Sequence, residues 1–219
     1  DQDELEALER STDEELKHQE LIRRIEALTA RCMPAGYLFG PEPNMVAQFV
    51  LGKSTWAVLA LTCHIELFSQ VHYRESIGTD REVSDLFKDV FLYHWKEESQ
   101  HAVLDELEWL REDARLTPQA RDQAVDDLIA LVGGIDGMLQ VQARADVAYF
   151  LDHKPQAGVL DAHEVQRIHD TMLAAYRWQY ILSGAQHPHF VKLLTGMVTP
   201  AQTERVMTAL GSLQEGAGS

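Results

Sequence analysis

The chain reads as an all-α protein, and three observations lead there. Runs of alternating β-branched residues are absent, apolar residues recur at helical spacing almost throughout, and Gly and Pro fall between the periodic segments. With 219 residues there is enough chain for one sizeable domain with its own core, taken as a single helical domain over 1–219 with the core at about 45–183.

The elements follow in order. Ser11-Thr12-Asp13 is able to cap a first helix ending near Arg31, with Asp1–Arg10 fraying ahead of it. Pro34, Gly36, Gly40, Pro41 and Pro43 make Cys32–Asn44 a loop. A long helix is predicted over Met45–Ile77 and stops at Gly78; Thr79-x-x-Glu82 then forms a capping box for a helix to about Ala114. Thr117-Pro118 is an N-cap followed by a first-turn proline. That helix runs to a break at Gly133-Gly134, and its length suits a crossover between two helix hairpins. Further helices are expected over Ile135–Leu151 and Val159–Ser183, with a turn at His153–Gly158. Short helices follow over His187–Ser212, the last opened by Thr199-Pro200-x-Gln202, before a frayed Glu215–Ser219. No internal repeat is evident.

Composition narrows the partners. Asp and Glu number 35 against 19 Lys and Arg, a formal net charge of −16. That argues against nucleic acid and anionic membranes, which need clustered cations. No apolar run is long enough to span a bilayer, and the acidic, amphipathic beginning is unlike a signal peptide. Cys32 and Cys63 make no disulfide framework. They read as small buried hydrophobes in a reduced, cytoplasmic compartment. Gly52-Lys53-Ser54 lacks the first glycine and the preceding strand of a phosphate loop.

Chemistry concentrates in Glu98-Ser99-Gln100-His101, an E-x-x-H element whose carboxylate and imidazole share one helix face. Burying both unpaired is costly, and a metal ion removes that cost. In the preceding helix Glu66 lies on an apolar stripe. Glu66 and Glu98 are equidistant from residue 82, so a hairpin with a short turn sets them at the same height. The second pair of helices offers Asp146 and, across its turn, Gln166-x-x-His169. Other readings exist for each residue. Glu97 is able to pair with His101, Glu66 with a base, and Asp146 with Arg144 or Arg167. His169 is able to serve as a hydrogen-bonded core histidine, and His163 and Asp170 are second-choice ligands. His64 and His72 read as packing or surface residues. His18, His94, His153, His187 and His189 join no constellation.

Taken together, Glu66, Glu98-x-x-His101, Asp146 and Gln166-x-x-His169 resemble the ferritin-like di-iron carboxylate superfamily, closer to its oxidases and oxygenases than to storage cages. The resemblance covers about 45–183. Asp146 stands where Glu is usual, and Gln166 where a bridging Glu is expected. It implies a ferritin-like four-helix bundle with added N- and C-terminal helices. It also implies metal ligands Glu66, Glu98, His101, Asp146 and His169, with Glu98 as the bridge. The implied cofactor is two iron ions or a Mn/Fe pair, with O2 as co-substrate and a small organic molecule as the species oxidised. Tyr73, Tyr149 and Tyr176 would line the substrate pocket or carry electrons. A homodimer and an electron-donor protein are the expected partners. The alternatives are a degenerate, metal-free helical scaffold and ferroxidase-type iron handling.

Overall fold

Helices make up all the regular structure in the computed structural model, which describes residues 2–154 and 160–215; no strand occurs among the described residues. In chain order they are α1 (Gln2–Ala30), α2 (Pro43–Leu51), α3 (Thr55–His72), α4 (Asp85–Asp113), α5 (Pro118–His153), α6 (Ala162–Arg177), α7 (Ser183–Ala185), α8 (Pro188–Met197) and α9 (Pro200–Glu215). Wide π-type turns, Tyr73–Ile77 and Trp178–Leu182, extend α3 and α6. No helix among these residues is long and apolar enough to cross a membrane. The expected turn at His153–Gly158 and the start of its following helix at Val159 fall largely outside the described residues.

Several boundaries differ from the sequence expectation, each for a local reason. α1 passes straight through Ser11-Thr12-Asp13, because the Thr12 hydroxyl donates back to the Leu8 carbonyl (2.9 Å) instead of capping. Gln2–Arg10, expected to fray, is helical. The expected single helix over Met45–Ile77 is divided between α2 and α3. Gly52 closes α2, Ser54 turns extended, and its amide donates to Asp127 on α5 (3.0 Å). α4 starts at Ser84, whose hydroxyl accepts from the Phe87 amide (3.3 Å), and Thr79 instead donates to the Glu75 carbonyl. Thr117 caps α5 as expected, but no break occurs at Gly133-Gly134. α5 continues for 36 residues, about 54 Å at the helical rise. The glycine at 134 serves packing instead, since an added Cβ would lie 2.5 Å from the Phe49 ring. Asp161 and Glu164 form a capping box on α6, and Thr199 with Gln202 forms the expected one on α9.

Packing follows the polar partners along each pair. Gln70 of α3 donates to the Trp95 carbonyl of α4, and Trp56 to Asp113, so the two helices run antiparallel. α3 also packs on α5, α5 on α6 and α9, and α1 on α4. The core lies where α3, α4, α5, α8 and α9 meet. Trp56 and Trp109 are fully buried edge to face, and Trp109 stacks on Phe190. Cys63 belongs to this core, and burial pushes its thiol up to about 12; Cys32 is exposed, contrary to expectation, because it sits in the loop after α1.

The π-type turn after α6 brings its backbone against α3. His64 is buried, and its Nε2 contacts the Ile181 carbonyl at 2.7 Å. Burial holds this ring below the usual imidazole range, so it is neutral and Nε2–H donates. A Cβ on Gly184 would lie 2.7 Å from the His64 ring and 2.9 Å from the His64 carbonyl oxygen. Backbone cannot yield cheaply, so Gly184→Ala is expected to lower stability by about 1–3 kcal/mol. Urea denaturation reads this, and an unchanged midpoint would remove the close approach as its cause.

Candidate metal centre

On α4 the inward stripe is His94, Glu98, His101 and Asp105, at helical spacing. Glu98 and His101 are buried, at 4% and 5% exposure. From α3, Glu66 meets them at the height that the sequence arithmetic set. The third contributor is α1, which docks through a polar stripe instead of its leucines. His18 is 2% exposed, whereas Leu5 and Leu16 stay in solvent.

α1 carries Glu14-Glu15-Leu16-Lys17-His18, and α4 carries Glu97-Glu98-Ser99-Gln100-His101. Both are E-E-x-x-H, and the helices run antiparallel, so the two motifs clasp reciprocally. Glu97 Oε2 lies 2.7 Å from His18 Nε2, while Glu14 Oε2 lies 2.9 Å from His101 Nε2. Each ring is thus held at its outer nitrogen by the first glutamate of the other motif. Both inner nitrogens, Nδ1, point to the centre. His18 Nδ1 is 2.9 Å from Glu98 Oε1; His101 Nδ1 is 2.8 Å from Glu98 Oε2 and 2.9 Å from Glu15 Oε1. Ligand atoms of Glu15, His18, Glu98 and His101 all lie within 4.8 Å of one another. His94 Nε2 adds a third imidazole, 2.8 Å from Glu98 Oε1.

Electrostatics shows how tightly these groups are coupled. Burial disfavours charge on Glu98, but His18, His94 and Glu66 overcome it and hold the carboxyl well below the usual range. Burial and then Glu98 push the Glu66 carboxyl up, to about 10, so it keeps a proton beside an ionised neighbour. Burial also opposes charge on His18 and His101, yet the surrounding glutamates raise both.

Among the buried polar atoms of the described residues with no hydrogen-bond partner of acceptable geometry, two belong to residues around this centre: His18 Nδ1 and Glu66 Oε2. With Nε2 turned to Glu97, His18 Nδ1 faces the Glu98 oxygen with no aligned bond. A cation among Glu15, His18, Glu98 and His101 satisfies His18 Nδ1. An outer carboxylate that fixes a ring while the inner nitrogen ligates is the usual support of a metal-bound histidine. Carboxylate oxygens with imidazole nitrogens suit Fe(II), Mn(II) or Zn(II). The donors present therefore fit a metal.

Of the residues singled out in the sequence, Glu98 and His101 belong to the four-residue group, and Glu66 lies beside Glu98 but outside that group. Asp146 and His169 lie outside the four-residue group. Asp146 accepts from Gln142 Nε2 (2.8 Å) and from the Tyr176 hydroxyl (2.5 Å), which burial and then Asp146 push well above the usual phenol range. His169 Nδ1 contacts Asp170 (3.1 Å), which also accepts from Gln166. The expected Asp146–His169 meeting does not occur: Asp146 takes the Tyr176 hydroxyl, two turns beyond His169, and His169 takes Asp170. Neither arginine proposed for Asp146 takes it, and Glu97 takes Lys17 and His18, not His101. Tyr73 packs on Trp95, and Tyr149 donates to the Pro34 carbonyl.

Sequence reading missed Glu15, His18 and His94. The signal was present: E-E-x-x-H occurs twice, a five-residue repeat that a search for longer repeats passes over. Neither protein-family models, curated proteins nor solved structures give a match to this chain.

Proposed function

We propose that this protein is a non-haem dinuclear-metal oxidoreductase of the ferritin-like kind, built on an Fe/Fe or Mn/Fe pair. The reading is carried by the reciprocal clasp of two E-E-x-x-H motifs around Glu98, with the Glu66 carboxyl alongside. Glu15, His18, Glu98 and His101 would hold the ions, Glu66 would add a carboxylate, and Glu98, reached from three sides, is the bridging candidate. The chemistry such ions supply when bound is electron transfer to O2.

The chain's own residues have separable tasks. Glu97 and Glu14 orient the two rings. Glu66 stores a proton at its carboxyl and releases it when a cation takes its place. His94 steadies the Glu98 oxygen that faces away from His101. A small organic substrate, an electron-donor protein, a homodimer and a cytoplasmic setting belong to the same proposal.

One observation favours a second reading, ferroxidase-type iron handling. The Glu15 side chain is 48% exposed and that of Glu14 24%, so carboxylates lead from solvent to the centre. Fe(II) itself could then be the species oxidised.

The test is elemental analysis and O2 consumption after anaerobic loading with Fe(II) and Mn(II). Close to two metals per chain with O2-dependent Fe(II) oxidation is the expected result. Oxidation that halts after the bound complement favours the oxidase, and continued turnover of excess Fe(II) favours iron handling. No binding at all overturns both and leaves a helical scaffold.

A further inference from the structure

A cleft of about 510 Å³ opens between α2 and α5, and none of the metal-site residues lines it. Its volume falls in the range of small-molecule sites, roughly 300–1,000 Å³. Met45, Phe49, Met138 and Val141 supply apolar walls. Met45 is 70% exposed and α2 has no buried residue; Met45, Val46 and Phe49 line the cleft, while Val50 packs against the core. Between Cys32 and Ser54 the only ionisable side chains besides Cys32 and Tyr37 are Glu42 and Lys53, in a chain of net charge −16. The region is a neutral apolar patch on an acidic molecule.

The cleft is built rigidly. Gln142 of α5 pins its far wall: Oε1 accepts from the Gly40 amide (2.8 Å), and Nε2 donates to the Leu38 carbonyl (3.3 Å) and to Asp146 (2.8 Å). The Glu42 carboxylate accepts from the Met45 amide (2.9 Å) and caps α2. On the floor, Gly134 receives the Phe49 ring against bare backbone. One turn on, an added Cβ at Gly137 would meet nothing within 4 Å. Two glycines at this spacing cost helix stability. One is used to seat an aromatic wall, and the other leaves space open.

Charge selects the occupant. Glu42 is the one ionisable side chain lining the cleft, and it is an acid committed to a cap. Lys53 lies over the Phe49 ring (5.0 Å) with its ammonium turned to Asp127 (3.9 Å). None of the lining side chains is a cation that would receive an anionic headgroup. We propose that this cleft binds an uncharged, largely hydrocarbon small molecule.

The experiment titrates the full chain with N-phenyl-1-naphthylamine, an uncharged fluorescent probe, with and without chelator, and displaces it with decanol or decanoate. Saturable binding of one equivalent is expected, indifferent to chelator, with decanol displacing at least tenfold better than charged decanoate. Gly137→Leu adds bulk to the lining at a position whose Cβ meets nothing within 4 Å, so it should weaken the probe at least tenfold with no loss of melting temperature. Gly133→Ala, which is not in the lining and also meets nothing within 4 Å, should bind as the parent does. Unsaturable binding, or binding untouched by Gly137→Leu, overturns the proposal. So does absent binding by a chain that sediments as a dimer, which would mean that a second copy covers the patch. Because the cleft is independent of the metal, either result leaves the metal reading standing.

Discussion

His18→Ala is expected to abolish tight metal binding as completely as His101→Ala, while His169→Ala leaves it intact. The reason is geometric: His18 Nδ1 and His101 Nδ1 both face Glu98, and His169 faces Asp170. The outer glutamates make the comparison sharper. Glu97→Gln keeps the shape but weakens the hold on the His18 ring, and should reduce affinity by roughly 10- to 100-fold. Glu14→Gln should act similarly through His101. Isothermal titration with Mn(II) and Fe(II), under argon for the latter, gives these affinities directly. Equal loss in His169→Ala and His18→Ala would mean that α6 contributes to the centre and that the α1 clasp is not its frame.

The second large effect lies elsewhere. Arg177 and Asp136 are 8% and 7% exposed and form a bidentate pair, with Nε to Oδ1 at 2.6 Å and Nη2 to Oδ2 at 3.0 Å. Arg177 Nη1 also donates to the Leu213 carbonyl (3.2 Å), so one guanidinium ties α5, α6 and α9 together. Removing one partner leaves the other charge buried and unpaired. Arg177→Met should therefore lose about 3–5 kcal/mol. Adding Asp136→Leu removes the stranded carboxylate and should recover most of it. Urea unfolding of the single and double variants measures both numbers. A single-variant loss under about 1 kcal/mol would show that water reaches Asp136 freely.

Much of the architecture was legible because helices announce themselves locally. Thr117-Pro118 and Thr199-Pro200-x-Gln202 cap where they stand, and Gly78 closes its helix. Breaks were harder, since a glycine says only that the backbone is free or bare. Gly52 ends α2, whereas Gly134 sits within α5 because Phe49 packs there, a reason that lies 85 residues away in the chain. The meeting of Glu66 with Glu98 was readable because the α3–α4 turn is short and hairpin arithmetic is reliable over it. The same arithmetic failed for Asp146, which takes the Tyr176 hydroxyl two turns beyond His169, because a polar side chain goes to whichever donor its packed neighbours offer and not to the residue at equal height. α1 was read as an appendage, because helical periodicity does not say which face will dock. Its contribution rests on a charged face turned inward, against the usual expectation that leucines lead.

A metal held as proposed, by ligands from two helices, would make attachment of α1 and occupancy by metal a single equilibrium. Each imidazole depends on a carboxylate from the opposite helix, so α1 cannot leave with one half of the clasp intact. Any ion that binds only the clasped form adds RT ln(1 + [L]/Kd), about 2.7 kcal/mol at a hundredfold excess over Kd. If the centre binds metal as proposed, metal supply would be a latch on the N-terminal helix. Starved chains would present Glu14 and His18 to solvent, and Lys17, which pairs with Glu97 in the clasp, to proteases. The rate of tryptic nicking in α1 would then serve as a gauge of how much metal the surroundings offer.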